Sequence, residues 1–306
     1  MKQLLLGVVC AAAAFTGISY LTYAVIFKSP HKNQNNIHKL PTSEQYLEKR
    51  DRMLELVDTL AAVPCERVSI VSSDGLKLSG RYYHTADGAP LDIGFHGYRA
   101  TAIRDFSGGS KISFELGHNL LLVDQRAHGE SEGKKLSFGI RERFDCLDWV
   151  NYAVGRFGEN TKINLYGVSM GAATVLMASG LDLPSNVCRI VADCPYSSPK
   201  DIICKVANDY KLPPKLMWPF IAFGAKVFAK LDLTEITAAE AVKKSKTSIM
   251  IIHGEDDRFV PDYMSLQVQE ANPQMVSRHT FPDAGHGISF LKDPERYRKL
   301  VIEFLK

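Results

Sequence analysis

The sequence predicts an α/β protein whose central sheet is mostly parallel and flanked by helices on both faces. Three observations predict it. Short apolar runs at residues 91–95, 119–123, 163–166, 190–192 and 249–252 recur along the chain. Helix-length segments separate them, with helical candidates at 138–157, 171–179, 262–271 and 293–305. Runs that are apolar on both faces and spaced by helices belong to a parallel sheet covered on both sides. Finally, a polar residue or motif follows each run, which is where open α/β sheets bind ligands.

Taken in order, the chain begins with the uncharged stretch of residues 4–27, bracketed by Lys2 and Lys28. As a helix, its 24 residues reach about 36 Å, enough for a hydrocarbon core of about 30 Å. The stretch is long for a signal-peptide core and no A-x-A site follows it, so residues 1–28 are expected to be an uncleaved, single-pass membrane anchor. Lys28, Lys32 and Lys39 on one side against Lys2 on the other favour a cytoplasmic body only slightly, leaving the orientation open. Residues 29–41 are polar and bounded by prolines, the composition of a linker. Residues 42–64 then read as a helix packed on the body: Thr42 and Gln45 make a capping box, and Tyr46, Met53, Leu56, Val57 and Leu60 make an apolar stripe.

Residues 65–306 form the body. Two alternating strands joined around Asp74-Gly75 make a hairpin before the parallel pattern begins. The composition, 45% hydrophobic and 23% charged over 306 residues, excludes a disordered or fibrous chain. A net charge of +3 is too balanced to predict a nucleic-acid partner. The six cysteines contain no C-x-x-C, which removes a zinc ribbon or a redox pair. Ser107-Gly108-Gly109-Ser110-Lys111 lacks the phosphate-loop spacing, no G-x-G-x-x-G occurs, and no metal-ligand cluster stands out, so no cofactor or metal is expected.

The chemistry concentrates after the strands. Gly167-Val168-Ser169-Met170-Gly171 matches G-x-S-x-G, a weak signal alone. Here it directly follows a strand and opens a helix, the setting of a nucleophile elbow. A serine hydroxyl needs a base beside it and an acid to orient that base. His286 lies between two glycines after the strand at 277–281, and Asp257 follows the strand at 248–252. Taken alone, either residue reads as structural; the order Ser, Asp, His on successive strand ends is what selects Ser169, Asp257 and His286. The backbone N–H groups of Tyr98 and Met170 are the candidate donors to an oxyanion.

Through His96-Gly97, the stretch Asp124-Gln125-Arg126-Ala127-His128-Gly129-Glu130-Ser131, the Ser169 elbow, His253-Gly254 to Pro261, and Gly285-His286-Gly287, residues 65–306 resemble the α/β-hydrolase superfamily of serine hydrolases. The resemblance is nearest to membrane-anchored bacterial esterase and prolyl-oligopeptidase-like hydrolases. It implies an α/β-hydrolase fold with a helical cap over about 197–246, in which Asp124 and His128 are structural. The cap's Trp218, Phe220 and Phe223 read either as core packing or as the wall of an acyl pocket that binds substrate. The implied activity is cleavage of a small-molecule carboxylic ester, or a related acyl bond, through an acyl-enzyme on a Ser-His-Asp triad. An acyltransferase or serine peptidase with the same triad, and a non-catalytic binding protein on the fold, are the alternatives.

Overall fold

The computed structural model describes residues 1–29, 36–42 and 44–306. The chain opens with helix α1 (Lys2–Ile26), a short α2 (Glu44–Leu47) and α3 (Arg50–Ala61). Strands β1 (Glu66–Val71), β2 (Lys77–Tyr83) and β3 (Leu91–Phe95) follow, then α4 (Ala102–Phe106), α5 (Ser110–Glu115), β4 (Asn119–Asp124) and α6 (Glu142–Phe157). Next come β5 (Ile163–Val168), α7 (Met170–Ala178) and β6 (Val187–Asp193). Between β6 and the next strand lie α8 (Pro199–Asp209), α9 (Pro214–Gly224), a π-helical turn (Ala225–Ala229) and α10 (Ala238–Val242). The chain closes with β7 (Ser248–Gly254), α11 (Tyr263–Ala271), β8 (Val276–Phe281), α12 (Ser289–Lys292) and α13 (Pro294–Leu305).

The eight strands form one sheet in the order β1-β2-β4-β3-β5-β6-β7-β8. The hairpin β1–β2 and the pair β2–β4 are antiparallel, and every other pair is parallel. Gly75 turns the hairpin at φ +90°, a conformation that glycine takes without steric cost. From β3 the chain goes first outward to β4 and then back across to β5, so the direction of winding reverses between β3 and β5. Crevices at such a reversal are where α/β sheets hold ligands. The register pairs Phe95 with Gly167, so the loops after β3 and β5 leave the sheet side by side. The fully buried runs of β3 and β4 have helices on both faces, as the alternation of apolar runs predicts.

Two N-terminal features depart from expectation. The single helix expected over 42–64 is broken at Glu48-Lys49 into α2 and α3, and its capping box spans Ser43, outside the described residues. In α3, Val57 and Leu60 bury against Tyr83, Phe106, Leu120 and Leu122. The linker expected over 29–41 does not part α1 from the body at its first residue. Phe27 is completely buried, its ring 5.8 Å from that of Phe138. The Leu136 amide donates to the Phe27 carbonyl (2.8 Å) and the Ser29 amide to the Lys134 carbonyl (3.0 Å). The cause lies in the helix terminus, whose last carbonyls have no partners within the helix. The Tyr98 hydroxyl donates to the Ile26 carbonyl (2.8 Å) and the Arg99 guanidinium to that of Val25 (2.7 Å). Residues 30–35 of the expected linker lie outside the described residues.

Within α1, Leu5–Ile26 is long and apolar enough to cross a membrane by length and composition, a test that a signal sequence at this position also passes. Because Phe27 docks in the core, Phe27→Ala should destabilise the body by about 3–5 kcal/mol, the usual cost of emptying a buried phenylalanine site. Thermal unfolding of the detergent-solubilised full chain measures this, and an unchanged Tm would mean that the helix end is not docked.

Candidate active site

The G-x-S-x-G segment forms a tight turn from β5 into α7. Ser169 sits at φ +55°, ψ −112°, a region that non-glycine residues rarely occupy and that marks stored strain. Both flanking glycines are required by close approach. A Cβ on Gly167 would fall 2.3 Å from the Gly171 carbonyl oxygen, and one on Gly171 would fall 1.8 Å from that of Phe95. The turn thus raises the serine above the sheet, where its amide donates to the Asp193 carbonyl at 2.8 Å.

The three residues singled out by chain order meet at this point. The Ser169 hydroxyl donates to His286 Nε2 (2.9 Å), and His286 Nδ1 donates to Asp257 Oδ2 (2.7 Å), a tautomer assigned from the hydrogen-bond network. Glycines on either side of His286 let its loop approach closely, and Gly287 takes φ +64°. Asp257 Oδ1 accepts from the Phe259 and Val260 amides at 2.9 and 2.8 Å, so the turn after β7 fixes the carboxylate. Burial alone would raise this carboxyl, but the His286 charge and hydrogen bonds from His253 and His286 hold it well below the usual carboxylate range. A permanently ionised carboxylate oriented this way favours the imidazolium that forms when Nε2 takes a proton. Asp256, its neighbour, instead turns toward the cavity that Ser169 and His286 also line.

The loop after β3 runs beside the serine: a Cβ on Gly97 would lie 3.4 Å from the Ser169 Cβ. The Gly97 amide is taken by Asp105 Oδ2 (2.8 Å), whereas among the described residues no acceptor is found for the amides of Tyr98 or Met170. The stretch after β4 supports this loop. His128 Nε2 accepts from the Arg99 amide (3.0 Å), and Arg126 bridges Asp74 and Asp145. Asp124 accepts from Arg81 at 3.0 Å. His96, fully buried, accepts from the Gln125 amide (3.1 Å) at Nε2 and donates from Nδ1 to the Gly97 carbonyl (2.9 Å). Burial lowers its pKa, so it is a neutral packing residue.

Above the serine lies a cavity of about 1100 Å³. Its lining corrects the expectation for the cap. Trp218, Phe220 and Phe223 do not line it: the Phe220 ring packs tilted and the Phe223 ring edge-on against Phe15 of α1, at 4.8 and 5.2 Å, and Trp218 lies under the Lys200 ammonium. Phe220 and Phe223 thus face α1 rather than the cavity. The cavity wall comes instead from α2 and α3, with Gln45, Tyr46, Met53 and Leu56, and from Phe106, Phe259 and Phe290. The Tyr46 hydroxyl donates to the His286 carbonyl (2.6 Å), and the Gln45 side chain fills the space that a Cβ on Gly285 would take. The stripe of residues 42–64 signals an apolar face but not which surface it covers, so these residues escape a reading of sequence alone. Phe259, its ring 5.1 Å from that of His286, carries no local signal beyond lying two residues after Asp257.

Among the described residues, the one cluster of His, Cys, Asp and Glu close enough to share an ion is Cys194, Asp257 and His286. Burial holds the Cys194 thiol well above its ordinary pKa, so this one donor is protonated where a metal needs a thiolate.

Comparison with known proteins places this geometry. Residues 104–224 match a family model described as the alpha/beta hydrolase fold. The uncharacterised Bacillus subtilis protein YqkD is 24% identical over 306 residues, covering 100% of this chain and 97% of the relative. The thiohydrolase aneE of Aspergillus aculeatus is 31% identical over 133 residues, 42% of this chain and 41% of the relative. Among solved structures, an esterase of Pyrococcus furiosus superposes with a TM-score of 0.65 at 24% identity, covering 81% of this chain and 92% of the esterase. Est1E of Butyrivibrio proteoclasticus, solved with ferulic acid bound, superposes at 0.60 and 19% identity, covering 78% and 99%. Superpositions at this identity establish the fold. With the family match, they fit a member of the α/β-hydrolase superfamily.

Asp193, at the end of β6 beneath Ser169, gives a pH signature. Burial raises its carboxyl to about 6, against a hydrogen bond from the Tyr297 hydroxyl. The folded protein therefore holds this proton more tightly than the unfolded chain. That contribution is fully present below about pH 4 and is lost as pH rises through about 6. Relative to wild type, Asp193→Asn should gain up to about 2–3 kcal/mol as pH increases from about 4 to about 7. Paired Tm measurements across that range check it; a constant difference would mean that the carboxyl titrates normally.

Proposed function

We propose that this protein is a serine hydrolase that cleaves a carboxylic ester or related acyl bond through an acyl-enzyme. The observation that carries the reading is the unbroken chain of hydrogen bonds from the Ser169 hydroxyl through His286 to Asp257. In this reading Ser169 Oγ attacks the acyl carbon while its proton passes to His286 Nε2. The Tyr98 and Met170 amides receive the oxyanion of the tetrahedral intermediate. Its collapse breaks the bond to the leaving alcohol or thiol, which takes the proton from Nε2. Water then repeats the sequence and releases the acid.

The cavity supports a small acyl substrate, with Met53, Leu56 and Phe106 offering an apolar wall. Charged groups of both signs, Lys49, Arg104, Glu44 and Asp105 among them, share that wall, so it does not by itself select neutral substrates. A thioester is a second reading, favoured by the likeness of 42% of the chain to a thiohydrolase. We also read α1 as an uncleaved membrane anchor, supported by its length and by the docking of its end on the body.

Ser169→Ala should lower kcat by about 10⁴–10⁶-fold on p-nitrophenyl esters or thioesters, and His286→Ala by a similar factor, with the double variant no worse than either. Asp257→Asn should cost far more than Asp256→Asn. Steady-state kinetics on the full chain in detergent tests this order, and a more damaging Asp256→Asn would move the acid to the neighbouring residue.

A further inference from the structure

Only part of α1 stands clear of the body. From Leu5 to Ala14 every residue is exposed, but contact with the cap begins at Phe15. Ser19 is fully buried, and Gly224 of α9 approaches so closely that a Cβ there would fall 2.4 Å from the Ser19 carbonyl oxygen. Tyr20 and Tyr23 pack on Phe228 of the π-helical turn at 5.2 and 5.7 Å. The free segment Leu5–Ala14 is therefore about 15 Å long, roughly half of a hydrocarbon core of about 30 Å. An α1 that crosses a bilayer without leaving the cap must carry α9 into the acyl region with it.

The surface of α9 suits that environment. Leu216, Pro219 and Phe223 of α9 and Val227 of the π-helical turn follow one another at helical spacing, Leu216 63% exposed and Phe223 and Val227 each 37%. They form a stripe alongside the exposed face of α1. The hydroxyls of the packed helices are satisfied within them: Ser19 donates to the Phe15 carbonyl (2.8 Å) and Thr22 to that of Ser19 (2.8 Å), as hydrocarbon requires. Lys215 and Lys226 flank the stripe on stems long enough to lie along it and reach the headgroups.

We propose that the Leu216–Pro219–Phe223–Val227 face of the cap lies against lipid acyl chains beside α1, so that the cap is part of the membrane-bound surface. Tyr210, which lines the catalytic cavity and precedes α9, is thereby brought to the bilayer. The inference rests on the membrane reading of α1 made above.

The test uses the full chain reconstituted in phosphatidylcholine vesicles containing a dibrominated phosphatidylcholine, which quenches tryptophan within the acyl region. Trp149, one of two tryptophans, is buried in the core and serves as the unquenched reference in a Trp218→Phe background. Leu216→Trp and Val227→Trp, at the two ends of the stripe, report on the cap, and Val8→Trp reports on α1. The expected result is a several-fold greater loss of fluorescence than the background for all three. Quenching at Val8 alone overturns the proposal, because α1 then leaves the cap when it inserts. A blue shift at the cap sites without quenching also overturns it, since a second protein copy then covers the face. If no site is quenched, the membrane reading of α1 fails and the proposal falls with it.

Discussion

Residue 171 passes so close to the end of β3 that no side chain fits there. A Cβ would fall 1.8 Å from the Phe95 carbonyl oxygen, and on this contact the geometry around Ser169 depends. It lets α7 begin directly over β3, which in turn forces Ser169 into its positive-φ turn. It also brings the Gly97-Tyr98 loop beside the serine. The reversal of winding between β3 and β5 puts both loops at one crevice, so the sheet order and a single missing side chain together create the place where chemistry is possible.

The surrounding groups hold that turn rather than take part in it. Asp105 and His128 fix the loop after β3 from behind, and the Arg126 bridges to Asp74 and Asp145 hold the stretch that carries His128. The paired amides of Phe259 and Val260 fix the carboxylate of Asp257. Tyr46 reaches from the N-terminal segment to the His286 carbonyl, tying α2 to the loop that carries the imidazole. α1 is tied to the same region through Tyr98 and Arg99. Helices α2 and α3 are thus part of the wall of the cavity that Ser169 and His286 also line.

Much of the sheet is legible in the sequence, because a strand buried on both faces must be a short, uninterrupted apolar run. The residues just past the runs are legible for a related reason: turns at strand ends are short, so Ser169, Asp257 and His286 lie within a few residues of fixed strand termini. What is not legible is which apolar face meets which. Both residues 42–64 and the cap carry an apolar stripe, yet part of the first lines the cavity and Phe220 and Phe223 of the second face α1. Periodicity reports that a face is buried; only the tertiary arrangement decides its partner. The same limit hid the docking of Phe27, which the sequence places at the end of the apolar anchor segment.

The central claim is that Ser169 is a nucleophile activated by His286. The most direct measurement is to treat the folded full chain with a fluorophosphonate, digest it and locate the modified residue by mass spectrometry. The account predicts a single phosphonylated peptide carrying the adduct on Ser169, lost when His286 is replaced by alanine. An unmodified Ser169 under conditions that label a known serine hydrolase, or an adduct on another residue, would contradict it.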